Sequence, residues 1–353
     1  MTSFSNTETE CVQALIWQDN QLSILDQRLL PDTIKYTVYQ NALDVAEAIK
    51  TMQVRGAPAI GIAAAYAVVL SVQQHYEHQE DGYDWFEQVD VDLKMLAAAR
   101  PTAVNLSWAL GTMLRHLATC LDNPLASMMN KAVEIHQQDI ADNHKMGKFG
   151  ANVIGHAQGI LTHCNAGSLA TGGYGTALGV VRSVVSQNVA CAVFACETRP
   201  WLQGARLTAW ELAQDGIATT LIADSAAASL MTTKQIKWLV VGADCIAANG
   251  DVANKIGTYS LAILAKYHKL KVMVVAPSST LNLNKVSGND IKIEQRELSE
   301  LLPECYQSDD SPVTAWNPVF DITPNHLINV IVTEQGAIFP PFKKNLKGLK
   351  DND

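Results

Sequence analysis

Six short apolar runs, at 158–163, 189–195, 218–222, 238–241, 272–276 and 327–333, alternate with helical patterns through the second half of the chain. That rhythm leaves few folds open. Parallel strands need long crossover connections, usually helices, and repeated β–α units predict a parallel, doubly wound α/β sheet. Ligands of such sheets bind outside the carboxyl ends of the strands. Residues able to do chemistry lie at those ends: Cys164 after the first run, Glu197 and Thr198 after the second, Asp224, Asp244, and Ser278 to Thr280 after the next three.

The first third reads differently. Runs at 14–17 and 22–25 flank Gln18-Asp19-Asn20-Gln21, a hairpin signal, and 33–38 supplies a third strand. Helical patterns follow at 42–52, 57–75, 84–98, 104–121 and 124–146, punctuated by Pro101 and Pro124. The division is expected near 145–150, giving an N-terminal domain over 1–147 and a larger domain over 148–353.

With 48% hydrophobic and 17% charged residues, the chain has the makings of a well-buried enzyme. The net charge is −9 and no Lys/Arg-rich run occurs, which argues against a nucleic-acid surface. Seven cysteines, an odd number without a C-x-x-C pair, read as a reduced, cytoplasmic protein with neither zinc nor a disulfide framework. The polar, acidic N-terminus lacks the pattern of a signal peptide. The longest apolar run, 57–72, falls short of the ~20 residues of a bilayer span and reads as a buried helix, so no membrane is expected.

Within this frame the stretch 163–175, His-Cys-Asn-Ala-Gly-Ser-Leu-Ala-Thr-Gly-Gly-Tyr-Gly, reads as strand, glycine-rich turn, helix. Such a turn gathers backbone N–H groups and a helix N-terminus, which favour an anion. A cysteine at its mouth is in a place where thiols ionise readily. The spacing Gly173-x-Gly175-x-x-x-Gly179 is one residue too long for the dinucleotide fingerprint, and no G-x-x-x-x-G-K-[ST] occurs. A nicotinamide enzyme and an NTPase are both disfavoured.

Asp244 ends an apolar strand and has apolar neighbours on both sides. It is either an ion-paired support or a catalytic acid. An ordinary Asp, with pKa ~3.9, is protonated about once in a thousand at neutral pH, which costs a general acid roughly 4 kcal/mol. Burial can remove that cost. Of the eight arginines, Arg55, Arg100, Arg199 and Arg206 fall in Gly/Pro-rich segments. Arg55-Gly56-Ala57 opens the apolar helix and makes the best phosphate clamp. Residues 249–255 form a glycine turn ending in Lys255, read as opening the next helix. There is no H-E-x-x-H and no close His/Cys cluster, so no metal site is indicated.

Taken together, these segments resemble the methylthioribose-1-phosphate isomerase family. The matching stretches are Arg55-Gly56-Ala57-Pro58-Ala59-Ile60-Gly61, Arg100-Pro101-Thr102, His163-Cys164-Asn165-Ala166-Gly167, Glu197-Thr198-Arg199-Pro200, Gln203-Gly204-Ala205-Arg206, Gly242-Ala243-Asp244 and Asn249 through Tyr259. Asn317-Pro318-x-Phe320-Asp321 and Thr333-Glu334-x-Gly336 carry the match almost to the end. The resemblance implies a Rossmann-like C-terminal domain behind a smaller domain of short strands and helices. It also implies a homodimer, a sugar-phosphate substrate, and an aldose–ketose isomerisation in methionine salvage without cofactor or metal. It implies Cys164 and Asp244 as the catalytic pair, and Arg55, Gly56, Ala57, Arg100, Gln203, Asn254 and Lys255 as substrate-binding residues. Cys245 departs from the family's usual arginine, removing a cation that would lower the Asp244 pKa. The related ribose-1,5-bisphosphate isomerases and regulatory sugar-phosphate or nucleotide-sensing subunits are the alternatives.

Overall fold

The computed structural model describes residues 12–77, 84–101, 103–155, 159–187 and 191–349. Cys11, Thr102 and the run ends at 158 and 189–190 lie outside these residues. The chain begins with a three-stranded antiparallel sheet, β1 (Leu15–Gln18), β2 (Gln21–Leu25) and β3 (Tyr36–Tyr39). Asp19 and Asn20 both take positive φ, 51° and 58°, in the two-residue turn between β1 and β2. Turns of this hand match strand twist and favour Asn and Asp, as the hairpin signal requires.

Five helices follow: α1 (Ala42–Lys50), α2 (Ala57–Tyr76), α3 (Trp85–Ala99), α4 (Val104–Leu117) and α5 (Pro124–Ile154). The apolar run forms α2, and its polar last turn extends the helix to 20 residues. Every residue from 59 to 72 is buried. Helices α1, α3, α4 and α5 pack around it, so its apolar perimeter is covered by protein on all sides. Helix α5 runs eight residues beyond the pattern read from sequence. It passes through 145–150 unbroken and packs on α2 at one end and on α6 and β13 at the other.

The second half holds β4 (Gly159–Thr162), α6 (Ala177–Ser186), β5 (Ala192–Cys196), α7 (Ala209–Gln214), β6 (Thr219–Ile222), α8 (Ala227–Thr232) and β7 (Trp238–Val241). Then come β8 (Cys245–Ala247), β9 (Val252–Lys255), α9 (Thr258–Tyr267), β10 (Lys271–Val275), β11 (Leu281–Asn282), β12 (Phe320–Thr323), β13 (Val330–Thr333), β14 (Gly336–Ile338) and α10 (Phe342–Asn345). The main sheet runs β14-β13-β10-β7-β4-β5-β6, with six parallel strands and β14 antiparallel at one edge. Taken as 1 to 6 along the chain, the parallel strands lie in the order 3-2-1-4-5-6, the Rossmann order. The order reverses between β4 and β7, and there the crevice opens.

A second sheet, β11-β8-β9-β12, is built from two insertions, β8 and β9 after β7 and β11 and β12 after β10. It corrects one reading: Lys255 ends strand β9 rather than opening a helix, and Gly257, at φ 103°, turns the chain into α9. Strands of two to four residues leave too short an alternation to be seen in sequence.

Candidate active site

Cys164 follows β4 and Asp244 follows β7, on the two sides of the reversal point. Both line one cavity, together with Arg55, Gly56, Ala57, Arg100, Gln203, Asn254 and Lys255. All nine residues singled out from the sequence therefore meet in one place. Arg199 and Arg206 do not. Arg206 lies over the Trp201 ring, 4.4 Å from its centroid, and donates to the Gln27 and Arg28 carbonyls, while Arg199 donates to the carbonyls of Pro200 and Leu301.

Cys164 is held from several sides. Its φ is 66°, a left-handed conformation costly for a residue with a Cβ. Its N–H donates to Thr198 Oγ1 at 2.9 Å, and its carbonyl accepts from Thr208 Oγ1 at 2.6 Å. Thr198, itself at φ 63°, is fixed by its N–H donating to Asp224 Oδ1 at 2.9 Å. Only 8% of Cys164 is exposed.

Asp244 is half-buried at the cavity wall. Burial pushes its carboxyl above the usual range, against the opposing pull of Lys255, Arg55 and Arg100. The neighbouring Cys245 faces the same environment, and burial with the Asp244 charge pushes its thiol up to about 11. The Lys255 ammonium lies 4.9 Å from the ring centroid of its cross-strand neighbour Phe320. Burial lowers its pKa, and the charges of Cys164 and Asp244 oppose the fall. Asn254 is oriented by Nδ2 donating to Thr258 Oγ1 at 3.0 Å. Gln203 leads into a π-helical turn, Gly204–Thr208, and its Oε1 is buried without a protein partner among the described residues. A bound hydroxyl would satisfy that atom.

The positive end of the cavity is the start of α2. Arg55 reaches the turn after β4 through Nη1 to Asn165 Oδ1 at 2.5 Å and Nη2 to the Asn165 carbonyl at 2.6 Å. Gly56 has φ 95°, and a Cβ there would lie 2.5 Å from Ala170. No side chain caps this helix end, and Gly56, Ala57 and Pro58 line the cavity, so the positive end of the helix dipole lies at it. Arg100 closes α3 beside them, with its pKa lowered chiefly by burial.

The glycine-rich turn does not present the open anion cradle read from the sequence. Its amides already hold an anion, the carboxylate of Glu211 on α7. Ser168 N donates to Oε1 at 2.6 Å, Leu169 N to Oε2 at 3.4 Å, and Asn165 Nδ2 to Oε2 at 3.0 Å. Arg182 on α6 pairs with Glu211 at 2.8 Å and with Asp215 at 2.5 Å. Burial alone would raise the Glu211 pKa, but the Arg182 charge and the hydrogen bonds from Asn165 and Ser168 outweigh it and hold the carboxyl low.

Sequence reasoning missed other lining residues. Arg296, Glu300 and Asn317 come from the long connection between β11 and β12. Arg296 donates Nε and Nη2 to Glu300 Oε1 at 3.1 and 2.5 Å, and Asn317 Nδ2 donates to Glu300 Oε2 at 3.4 Å. Met52, Trp201, Val319 and Phe320 add apolar wall. Beneath the crevice, ligand-type atoms of His163, Cys196 and Asp224 lie within 4.8 Å of one another, a grouping invisible in the sequence. Burial and the charges of Asp224 and Glu197 push the Cys196 thiol up to about 12, and the two Asp224 oxygens accept the Thr198 and Arg199 amides.

Comparison with known proteins bears on this geometry directly. The model of the initiation factor 2 subunit family matches residues 53–340. The chain is 52% identical over 350 residues to a methylthioribose-1-phosphate isomerase of Methylococcus capsulatus, covering 99% of both chains. The chain belongs to the methylthioribose-1-phosphate isomerase family. The crystal structure of the 5-methylthioribose 1-phosphate isomerase from Pyrococcus horikoshii OT3 superposes with a TM-score of 0.89 at 40% identity over 99% of each chain. A structure titled translation initiation factor eIF-2B, subunit delta, from A. fulgidus, follows at 0.82 and 36% identity, covering 96% of this chain and 99% of that one. The isomerase family thus shares its fold with a structure named for an initiation-factor subunit.

Proposed function

We propose that this chain converts 5-methylthioribose 1-phosphate into 5-methylthioribulose 1-phosphate, as an aldose–ketose isomerase of methionine salvage. The observation that carries the reading is the shared crevice: Cys164 and a half-buried Asp244 of raised pKa line one cavity with Arg55, Arg100 and Lys255.

In this substrate the anomeric carbon bears the phosphate, so the ring does not open to a free aldehyde. Asp244, protonated, gives its proton to the ring oxygen as the C1–O bond breaks. The positive character left at C1 is relieved by hydrogen arriving from C2. By one route Cys164, as thiolate, takes the C2 proton to leave an enol, then returns a proton to C1 while the C2 hydroxyl proton passes to the Asp244 carboxylate. By the other, hydride shifts from C2 to C1 and the C2 hydroxyl proton passes to the Asp244 carboxylate. Either way C2 becomes the ketone and the phosphate ester stays on C1. The start of α2, with Arg55, Gly56 and Ala57, holds the phosphate together with Arg100, Gln203, Asn254 and Lys255. Buried apolar walls keep out water that would attack the C1 cation.

One feature favours a neutral C5 substituent over a second phosphate. Arg296, a further cation of the cavity, is already paired with Glu300 through two nitrogens, whereas a bisphosphate needs another uncompensated cationic cradle. A cytoplasmic homodimer, with the chain divided at 147/148, completes the proposal. Light scattering of the purified protein tests the dimer.

The reading is tested by assaying purified protein with 5-methylthioribose 1-phosphate beside ribose 1,5-bisphosphate. Ketose formation from the first and little from the second is expected. Turnover of the bisphosphate alone, or of neither, overturns it. Deuterium from solvent at C1 of the product selects proton transfer, and its absence selects hydride migration.

A further inference from the structure

We infer that His163 is a positioning residue, whose ring ties the Cys164 turn to the Lys255 turn across the crevice. The inference rests on the isomerase reading above.

His163 lies between the end of β4 and Cys164, and 2% of it is exposed. Its Nε2 lies 2.8 Å from the carbonyl oxygen of Ile256, the residue after Lys255. A carbonyl only accepts, so Nε2 carries the hydrogen. Burial disfavours the charged ring, which leaves Nδ1 as a lone pair. That nitrogen faces Thr198 Oγ1 at 3.5 Å and Asp224 Oδ1 at 4.0 Å. Thr198 Oγ1 also accepts the Cys164 N–H and donates to the Cys196 carbonyl at 3.1 Å. A single ring therefore touches the support of Cys164 on one side and the backbone carrying Lys255 on the other.

Two further observations point the same way. Among the described residues, the His163–Ile256 bond is the only hydrogen bond joining the turn after β4 to the turn after β9. Gly257, at φ 103°, leaves room for the ring, and a Cβ there would lie 3.1 Å from both Cε1 and Nε2 of His163. The turn that delivers Lys255 is shaped around the imidazole. A histidine that merely filled core space would not need its hydrogen on one chosen nitrogen, nor a glycine at that distance.

Moving one reacting group by about an ångström costs up to ~10²-fold in rate. His163→Met, which keeps bulk but donates no hydrogen bond, is expected to lower kcat roughly 10-fold or more. His163→Gln, whose amide N–H can reach the Ile256 carbonyl, is expected to recover most of the kcat. Equal losses in the two variants, or a wild-type kcat in His163→Met, overturn the inference. Nitrogen-15 spectra of the wild-type histidine rings provide a test that needs no variant to fold. The His163 ring, identified in an isotope-labelled sample by the peptide pair it shares with Cys164, is expected to carry its proton on Nε2. A proton on Nδ1 instead contradicts the inference. Wild-type turnover of 5-methylthioribose 1-phosphate in the same series reports separately on the isomerase reading.

Discussion

A glycine-rich turn and a helix start face the same crevice, and they do opposite things. At the turn after β4 the free amides of Ser168 and Leu169 are closed by the Glu211 carboxylate, which Arg182 holds in place. At the start of α2, after Gly56, no side chain caps the helix and its positive end lies at the cavity. The first arrangement is a finished structure that sets Cys164 and Asn165. The second is left open for a ligand anion. A glycine-rich turn before a helix thus announces an anion, but whether that anion is a substrate or the protein's own carboxylate depends on distant residues.

The largest expected effects lie in the chemistry between the two regions. Asp244→Asn and Cys164→Ser should each fold normally and lose turnover by roughly 10²–10⁴, measured by ketose formation. Because Asp244 must be protonated and burial raises its pKa, wild-type turnover should fall as pH rises through that pKa. A near-normal rate in either variant removes the residue from its role.

At the closed turn, Glu211→Gln leaves Arg182 with Asp215 as a carboxylate partner. Breaking a buried pair costs roughly 3–5 kcal/mol, so urea denaturation should show a loss of stability of that order. Unchanged stability would mean that the turn amides do not depend on an internal anion. At the open start, Arg55→Ala should weaken substrate binding by about 10-fold or more with little change in stability, read by isothermal titration.

The smallest effect concerns the far arm of the closed turn. Asp139 accepts the Gly172 N–H at 2.7 Å, and burial pushes its carboxyl up to about 7. A folded pKa above the unfolded one means that the stability this group contributes is present in acid and lost as pH rises toward 7. Asp139→Asn keeps an acceptor and removes the titration. Its melting temperature should therefore fall less than that of wild type between pH 5 and 8. Parallel profiles would place the Asp139 pKa elsewhere.

Much of this was legible in the sequence, and the reason differs by region. Five of the six parallel strands show as continuous apolar runs because both sheet faces are covered there, the edge strand β6 being largely exposed, and their order along the chain places Cys164 and Asp244 at strand ends. The Asp19-Asn20 turn shows because its backbone requires those residue types. Glu211 was not legible. An acid in a helix ordinarily reads as surface, and only Arg182, a lone cation in the apolar stretch of α6, hinted that a buried carboxylate must exist. Arg296, Glu300 and Asn317 were hidden for another reason. A connection of nearly forty residues carries them to the cavity, and no periodicity tells where such a segment lands. The inserted sheet was missed because its strands are too short to show alternation.

The most direct test is a crystal structure of Asp244→Asn with 5-methylthioribose 1-phosphate bound. The account predicts the phosphate against the Gly56–Ala57 amides and Arg55, with the Glu211 carboxylate still in the turn at Ser168. A phosphate in that turn, with Glu211 displaced, would contradict it.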